Sequence, residues 1–138
     1  MKSINIFEDG KESRDFVYID DVIQATYLGI ERAEAEGEIF NVGTGIATTV
    51  SEVAALLVNY YGVVIPVQVT GNYRLGDIRH NYADIGKIEN LLSFKPAYDF
   101  KTGLKKFTDW VNSQEVQKTT YEDSINEMKA KRVNAERR

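Results

Sequence analysis

The chain has no cysteine and a single histidine, His80, among 138 residues. Disulfides and thiolate metal sites are therefore excluded, and nothing points to an oxidising compartment. A lone histidine with no coordinating residues at workable spacing reads as a hydrogen-bonded structural side chain rather than a ligand. No stretch approaches the roughly 18 apolar residues of a membrane-spanning helix. The opening "MKSINIFEDG" lacks the long apolar run of a signal peptide. Basic residues are outnumbered, 17 against 21 acidic, for a net charge of -4, whereas a nucleic-acid binder usually presents a basic face. These absences leave a cytoplasmic protein, with no nucleic-acid partner and no membrane partner, as the expectation.

What is present suits a folded domain. Hydrophobic residues make up 43% and charged residues 28%, the balance of a globular chain rather than a disordered one. The length fits one domain with a real core. "SINIF" alternates as a strand does, and Asp9-Gly10 is a hairpin signal, so "RDFVYI" is expected to return as a second strand. Asp20 or Asp21 is placed to cap the helix "DDVIQATYLGIERAEAEG", with Val22, Ala25, Leu28, Ile30 and Ala33 inward and Gly37 as the stop. "EIFNVGTG", short and closed by glycines, reads as a buried strand.

"TTVSEVAALLVNYYG" carries the clearest helix signal. Thr49 and Glu52 stand at capping-box spacing, Val53, Leu56, Leu57 and Tyr60 form the inward face, and Gly62 ends it. "VVIPVQV" reads as a short strand that Pro66 confines to an edge. "IGKIENLLSF" is a short helix, and Asp99 can cap a last body helix with Leu104, Phe107, Trp110 and Val111 buried. From about Ser113 the composition turns polar, with Val116, Tyr121, Ile125 and Met128 as a thin apolar stripe. The division is therefore a body over residues 1–112 and a helical tail over 113–138 that packs on the body or a partner, or frays.

Few segments carry chemistry. "FNVGTGIATT" follows the strand-glycine-helix plan of a dinucleotide site, but Thr48 stands where a third Gly or Ala belongs. No acidic residue closes a second strand about 20 residues later, so a tight turn is the simpler reading. Arg14, just after a turn, is a candidate for bidentate phosphate contacts, or a surface cation paired with Asp15 or a glutamate. In "NYRLGDIRH", Arg74 supplies a cation and Asp77 an acceptor for two hydroxyl bonds, with Gly76 permitting close approach or positive φ between them. That set suits a phosphate joined to a ribose diol. The alternative is a loop salt bridge from Arg74 or Arg79 to Asp77.

Taken in order, "DGKESRDFVYIDDV", "IFNVGTG", "TTVSEVAALL", "RLGDIRHNYADIGKIENLLSFKP" and "GLKKFTDWV" resemble the C-terminal part of an NAD-dependent nucleotide-sugar epimerase/dehydratase. This is the extended branch of the short-chain dehydrogenase/reductase superfamily, and the resemblance runs from about Ile6 to Val111. It implies an incomplete α/β, Rossmann-like fold carrying the substrate-binding portion and followed by a helical tail. "GDIRHNYADI" leans toward sugar 4-epimerases acting on UDP- or dTDP-sugars.

By that resemblance Arg14 and Arg74 bind the substrate diphosphate, Val50 lines the base or ribose, and Asp77 bonds the ribose hydroxyls. Phe16 stands where UDP-galactose 4-epimerases place a tyrosine, so only its packing is inherited. The parent family uses NAD and a Tyr-x-x-x-Lys pair. No tyrosine here has lysine four residues on, and the glycine-rich NAD loop is missing, so no cofactor and no catalysis are expected of this chain alone. It resembles the last third of a longer isomerase, with self-association through strands that lack their neighbours. The alternative is a stand-alone, non-catalytic binding or regulatory module.

Overall fold

A computed structural model describes residues 3–115, 120–131 and 134–135. Short strands and helices follow in this order: β1 (Ile4–Ile6), β2 (Ser13–Arg14), α1 (Ile19–Glu31), β3 (Thr48–Thr49), α2 (Val50–Tyr61), β4 (Val67–Val69), β5 (Tyr73–Arg74), β6 (His80–Asn81), α3 (Gly86–Leu92), α4 (Phe100–Asn112), α5 (Tyr121–Ala130) and β7 (Asn134–Ala135). They fall into two compact units built from discontinuous stretches. The first comprises Met1–Glu12, Thr49–Arg79 and Val111–Arg138, and the second Ser13–Thr48 and His80–Trp110. Among the described residues no helix is long and apolar enough to cross a membrane.

In the first unit, α2 starts and stops where its local chemistry says. The Thr49 hydroxyl accepts the Glu52 amide at 3.2 Å, and the Glu52 carboxylate accepts the Thr49 amide at 2.7 Å. Gly62 closes the helix with φ +59, a left-handed conformation that costs glycine little. The expected hairpin does not form. β1 pairs in parallel with β4, Ile4 opposite Val67 and Ile6 opposite Val69. The turn after β1 serves α2 instead. The Gly10 and Glu12 carbonyls accept the amides of Ser51 and Val50, which have no partner inside the helix's own first turn. Gly10 is at φ +75, and a Cβ there would run into the Ser51 hydroxyl.

In the second unit, Ala25, Ile88, Leu92 and Phe94 form the buried core, with Leu28, Phe40, Val42 and Ile85 packed against it. β2 pairs in parallel with β6, Ser13 opposite His80 and Arg14 opposite Asn81. α1 begins one residue before the expected acidic cap and has no side-chain cap bond. Asp21 is buried and holds a distant stretch of chain instead, its carboxylate accepting the amides of Ala97 at 2.8 Å and Tyr98 at 3.2 Å. The helix stops at Glu31, and a 3-10 turn at Ala33–Ala35 precedes Gly37.

Two further expectations are corrected here. "EIFNVGTG" is not a strand, and Ile39 is 86% exposed. A strand exists only with a ladder partner, and the amides that close this segment are directed to a side chain instead. On α4, Phe107 and Trp110 are exposed and Val111 is 37% exposed, while Gly103 and Thr108 are the buried positions. Gly103 lets the Tyr18 ring close on the helix backbone, since a Cβ there would lie 3.2 Å from Tyr18 Cβ. The small residue selects the inward face. Of the apolar residues the spacing favoured, Leu104 is half-buried, while Phe107, Trp110 and Val111 turn outward.

Candidate functional site

The five residues singled out above are divided between the two units: Val50, Arg74 and Asp77 in the first, Arg14 and Phe16 in the second. In the first unit, the ladder of β1 and β4 is extended by a bond from the Glu8 amide to the Asn72 carbonyl at 2.7 Å. β5 follows at once and carries Arg74. The Asp77 amide donates to the Arg74 carbonyl at 3.2 Å, and Gly76 stands at φ +80. This is a tight turn with glycine at its third position, where a positive φ is required. It holds Arg74 and Asp77 at its two ends. Nothing lies within 4 Å of a Cβ built at Gly76, so backbone conformation rather than crowding calls for glycine there.

The Arg74 guanidinium lies over the Phe7 ring, 5.4 Å from its centroid, within the range of a cation–π contact. Phe7 was not singled out in the sequence. An aromatic ending an alternating strand looks like any strand residue until the fold lays an arginine on it. Arg79 sits in a different network, bonded to Asp9 at 2.6 Å, Glu8 at 3.0 Å and Glu12 at 3.5 Å. The Arg79 guanidinium and then the Lys11 amide bring the Asp9 carboxyl down to about 2. Val50 opens α2, half-buried.

In the second unit, Arg14 is half-buried on β2, and its Nη1 donates to the Ser13 carbonyl at 2.8 Å. It lines a cavity of about 430 Å³ with Asp15, Phe40, Asn41, Asn81 and Tyr82. Phe16 packs on Phe100 with ring centroids 5.1 Å apart. His80 is hydrogen-bonded through Nδ1 to the Ser13 hydroxyl at 2.9 Å, consistent with a structural role.

Asp15 is the organising residue the sequence reading left as a partner for Arg14. Its carboxylate accepts the Thr44 amide at 2.8 Å, the Thr44 hydroxyl at 2.6 Å, the Gly45 amide at 2.9 Å and the Ala83 amide at 3.2 Å. Burial pushes the Asp15 carboxyl up, but the bonds from Thr44, Ala83 and Gly45 outweigh it and hold the group below its ordinary value of 3.8. Gly43 is required beside it, because a Cβ there would collide with Asp15 Oδ2 and the Ala83 methyl. Among the described residues no cluster of three His, Cys, Asp or Glu side chains could hold a metal ion.

Comparison with known proteins follows the same lines. Residues 1–43 match the NAD dependent epimerase/dehydratase family. The dTDP-L-rhamnose 4-epimerase of Burkholderia thailandensis is 34% identical over 110 residues, covering 80% of this chain and 30% of that protein. UDP-glucuronate 4-epimerase 4 of Arabidopsis thaliana is 32% identical over 124 residues, covering 79% of this chain and 28% of that protein. The crystal structure of UDP-glucose 4-epimerase from Thermotoga maritima, with UDP-glucose, superposes with a TM-score of 0.70 at 32% identity, covering 80% of this chain and 35% of that one. UDP-glucuronic acid 4-epimerase from Bacillus cereus, in complex with UDP-glucuronic acid and NAD, gives 0.73 at 28% identity, covering 80% of this chain and 35% of that one.

The fold is thus a partial extended short-chain dehydrogenase/reductase fold of Rossmann type. The NAD dependent epimerase/dehydratase family model matches residues 1–43, and the similarity to epimerases of this kind extends over about 80% of the chain. It spans about 30% of the length of the curated relatives it matches.

The one glycine turn that resembled a dinucleotide loop does not fit the pyrophosphate of NAD. Its amides, from Thr44 and Gly45, already point at the Asp15 carboxylate at 2.8 and 2.9 Å. A second anion in the same nest would meet that charge instead of free donors. The tight-turn reading of "FNVGTG" stands.

Proposed function

We propose that this chain supplies the nucleotide-gripping part of an NAD-dependent nucleotide-sugar 4-epimerase, with no hydride chemistry of its own. The ligand is a UDP- or dTDP-linked sugar. The observation that carries this reading is the single turn joining Arg74 to Asp77 through Gly76 at φ +80. It offers a cation to a phosphate and, three residues on, an acceptor to a ribose diol. Arg14 is assigned to the diphosphate as well, Val50 to the wall beside the base or ribose, and Phe16 to packing. The names of the relatives and the two superposed structures, one with UDP-glucose and one with UDP-glucuronic acid, support the same class of ligand.

Binding energy at the nucleotide would position a sugar for chemistry elsewhere. The test is calorimetric titration of the chain with uridine and thymidine diphosphates. Loss of a charge-assisted contact costs about 1.5–3 kcal/mol, roughly ten- to a hundredfold in affinity. Arg74→Ala is expected to weaken both nucleoside diphosphates and inorganic pyrophosphate. Asp77→Asn is expected to weaken the nucleosides but barely touch pyrophosphate. Equal losses for both ligands, together with a lowered melting temperature, would mean that the turn is architecture.

We further infer that the isolated chain self-associates in the cytoplasm. On α1, Ile19, Ile23, Tyr27 and Ile30 are all more than half exposed along one side, at 59%, 59%, 53% and 78%. Apolar faces of this kind are rare on a monomer. Sedimentation at tens of micromolar is expected to give a dimer or larger, and a clean monomer would count against it.

A further inference from the structure

The polar tail has a place that its composition did not disclose. α5 lines a cavity of about 320 Å³ in the first unit, bringing Glu122, Asn126 and Lys129 opposite Asn5, Phe7 and Asn72. Beyond α5, β7 pairs antiparallel with β5, setting Asn134 opposite Arg74 and Ala135 opposite Tyr73. The tail therefore meets the candidate grip twice: at the strand that carries Arg74, and at the cavity that holds Phe7, the ring beneath the Arg74 guanidinium. Ile125 and Met128 of the expected stripe are half-buried on α5. Val116 and the Tyr121 side chain lie outside the described residues.

We propose that this cavity takes the nucleoside end of the ligand and that Asn126 and Lys129 of α5 are ligand-binding residues within it. The inference rests on the nucleotide-grip reading above and adds a wall to it that comes from the tail. The chemistry of the lining is the argument. Asn5, Asn72 and Asn126 each present one amide acceptor and two donors. Three such groups around one space can match the mixed edge of a nucleobase or the hydroxyls of a ribose. Phe7 supplies the flat apolar contact that a base stacks against. Lys129 and Glu122 bring one charge of each sign to the lining. The volume lies at the small end of the roughly 300–1,000 Å³ typical of small-molecule sites, which fits a nucleoside and leaves the sugar outside. A tail helix that only braced the sheet would bury an apolar stripe. Here Ile125 is only half-buried and lines the open space together with the polar Glu122, Asn126 and Lys129.

The experiment uses the full chain and the variants Asn126→Ala, Lys129→Ala and Arg74→Ala. Each is titrated with uridine diphosphate, thymidine diphosphate and inorganic pyrophosphate, with thermal melting alongside. Alanine raises helix propensity relative to asparagine, so Asn126→Ala does not weaken α5 locally. Asn126→Ala is expected to lose about tenfold in affinity for at least one nucleoside diphosphate, with pyrophosphate binding and melting unchanged. Lys129→Ala is expected to weaken the nucleoside diphosphates by a similar factor, and Lys129→Arg to restore most of it. Should both alanine variants bind like the unaltered chain while Arg74→Ala loses affinity, the tail is a bystander: the inference falls and the grip reading survives. If the unaltered chain binds neither nucleoside diphosphate, both fall together. Losses that track a lowered melting temperature, equal for pyrophosphate and nucleotide, also overturn the inference, because they mark a brace and not a wall.

Discussion

Asp15 and Asp21 in the second unit are answered mainly by backbone amides, whereas the acidic cluster of the first unit converges on one guanidinium. Asp15 accepts bonds from Thr44, Gly45 and Ala83, and Asp21 accepts the amides of Ala97 and Tyr98. Glu8, Asp9 and Glu12 instead converge on Arg79, whose side chain is 44% exposed. The first arrangement fixes loops, because a carboxylate bonded to amides dictates the path of the chain. The second gathers charges around a guanidinium that is itself solvated and screened, although Glu12 is buried. Loss of a partner should therefore hurt the two regions very unequally, and that inequality can be measured.

Asp21→Ala should do the most damage. It leaves the Ala97 and Tyr98 amides without their buried acceptor, and Asp21 is only 2% exposed. Unsatisfied buried donors of this kind make the expected loss about 2–4 kcal/mol in urea unfolding. A loss no larger than that of an ordinary surface substitution would break the contrast. Asp15 comes next, and its signature is a pH dependence. Its folded-state carboxyl is held below 3.8, so it binds its proton less readily folded than unfolded. Its contribution is fully present above that ordinary value and is lost as pH falls through the lower folded value. Unfolding free energies measured from pH 7 down to pH 3 should decline less steeply at the acid end for Asp15→Asn than for the unaltered chain. Parallel curves would refute this. The smallest effect belongs to Arg79→Ala, a slight loss of stability in low salt that fades in high salt. A large, salt-independent loss would place the Arg79 network with the amide-bonded carboxylates and erase the distinction.

The same two regions show what could be read from the residues and why. α2 was legible in full, with Thr49, Glu52 and Gly62 as expected, because capping is settled within a few residues of chain. α3 was equally legible, and so was the cap of α4, where the Asp99 carboxylate accepts the Thr102 amide at 2.7 Å. The hairpin after β1 and the strand over "EIFNVGTG" were not legible. Both needed knowledge of a partner distant in the chain: Val67–Val69 for β1, and the Asp15 carboxylate for the Thr44 and Gly45 amides. In the candidate site, the turn that carries Arg74, Gly76 and Asp77 was readable because all three lie within four residues of chain. Phe7, Asn72 and Asn126 could not, since only the sheet and α5 bring them to one cavity.

By itself the sequence determined the helices with local caps, the positive-φ glycine between Arg74 and Asp77, and the epimerase/dehydratase resemblance of the ordered blocks. These depend on neighbours within a few residues or on residue order alone. The tertiary structure decided which strands pair, which face of α4 turns inward, what Asp15 and Asp21 hold, and that the tail lines a cavity beside Phe7. The reason is physical: a backbone amide or an apolar face takes its partner from whatever the folded chain brings within reach, and sequence distance does not encode that.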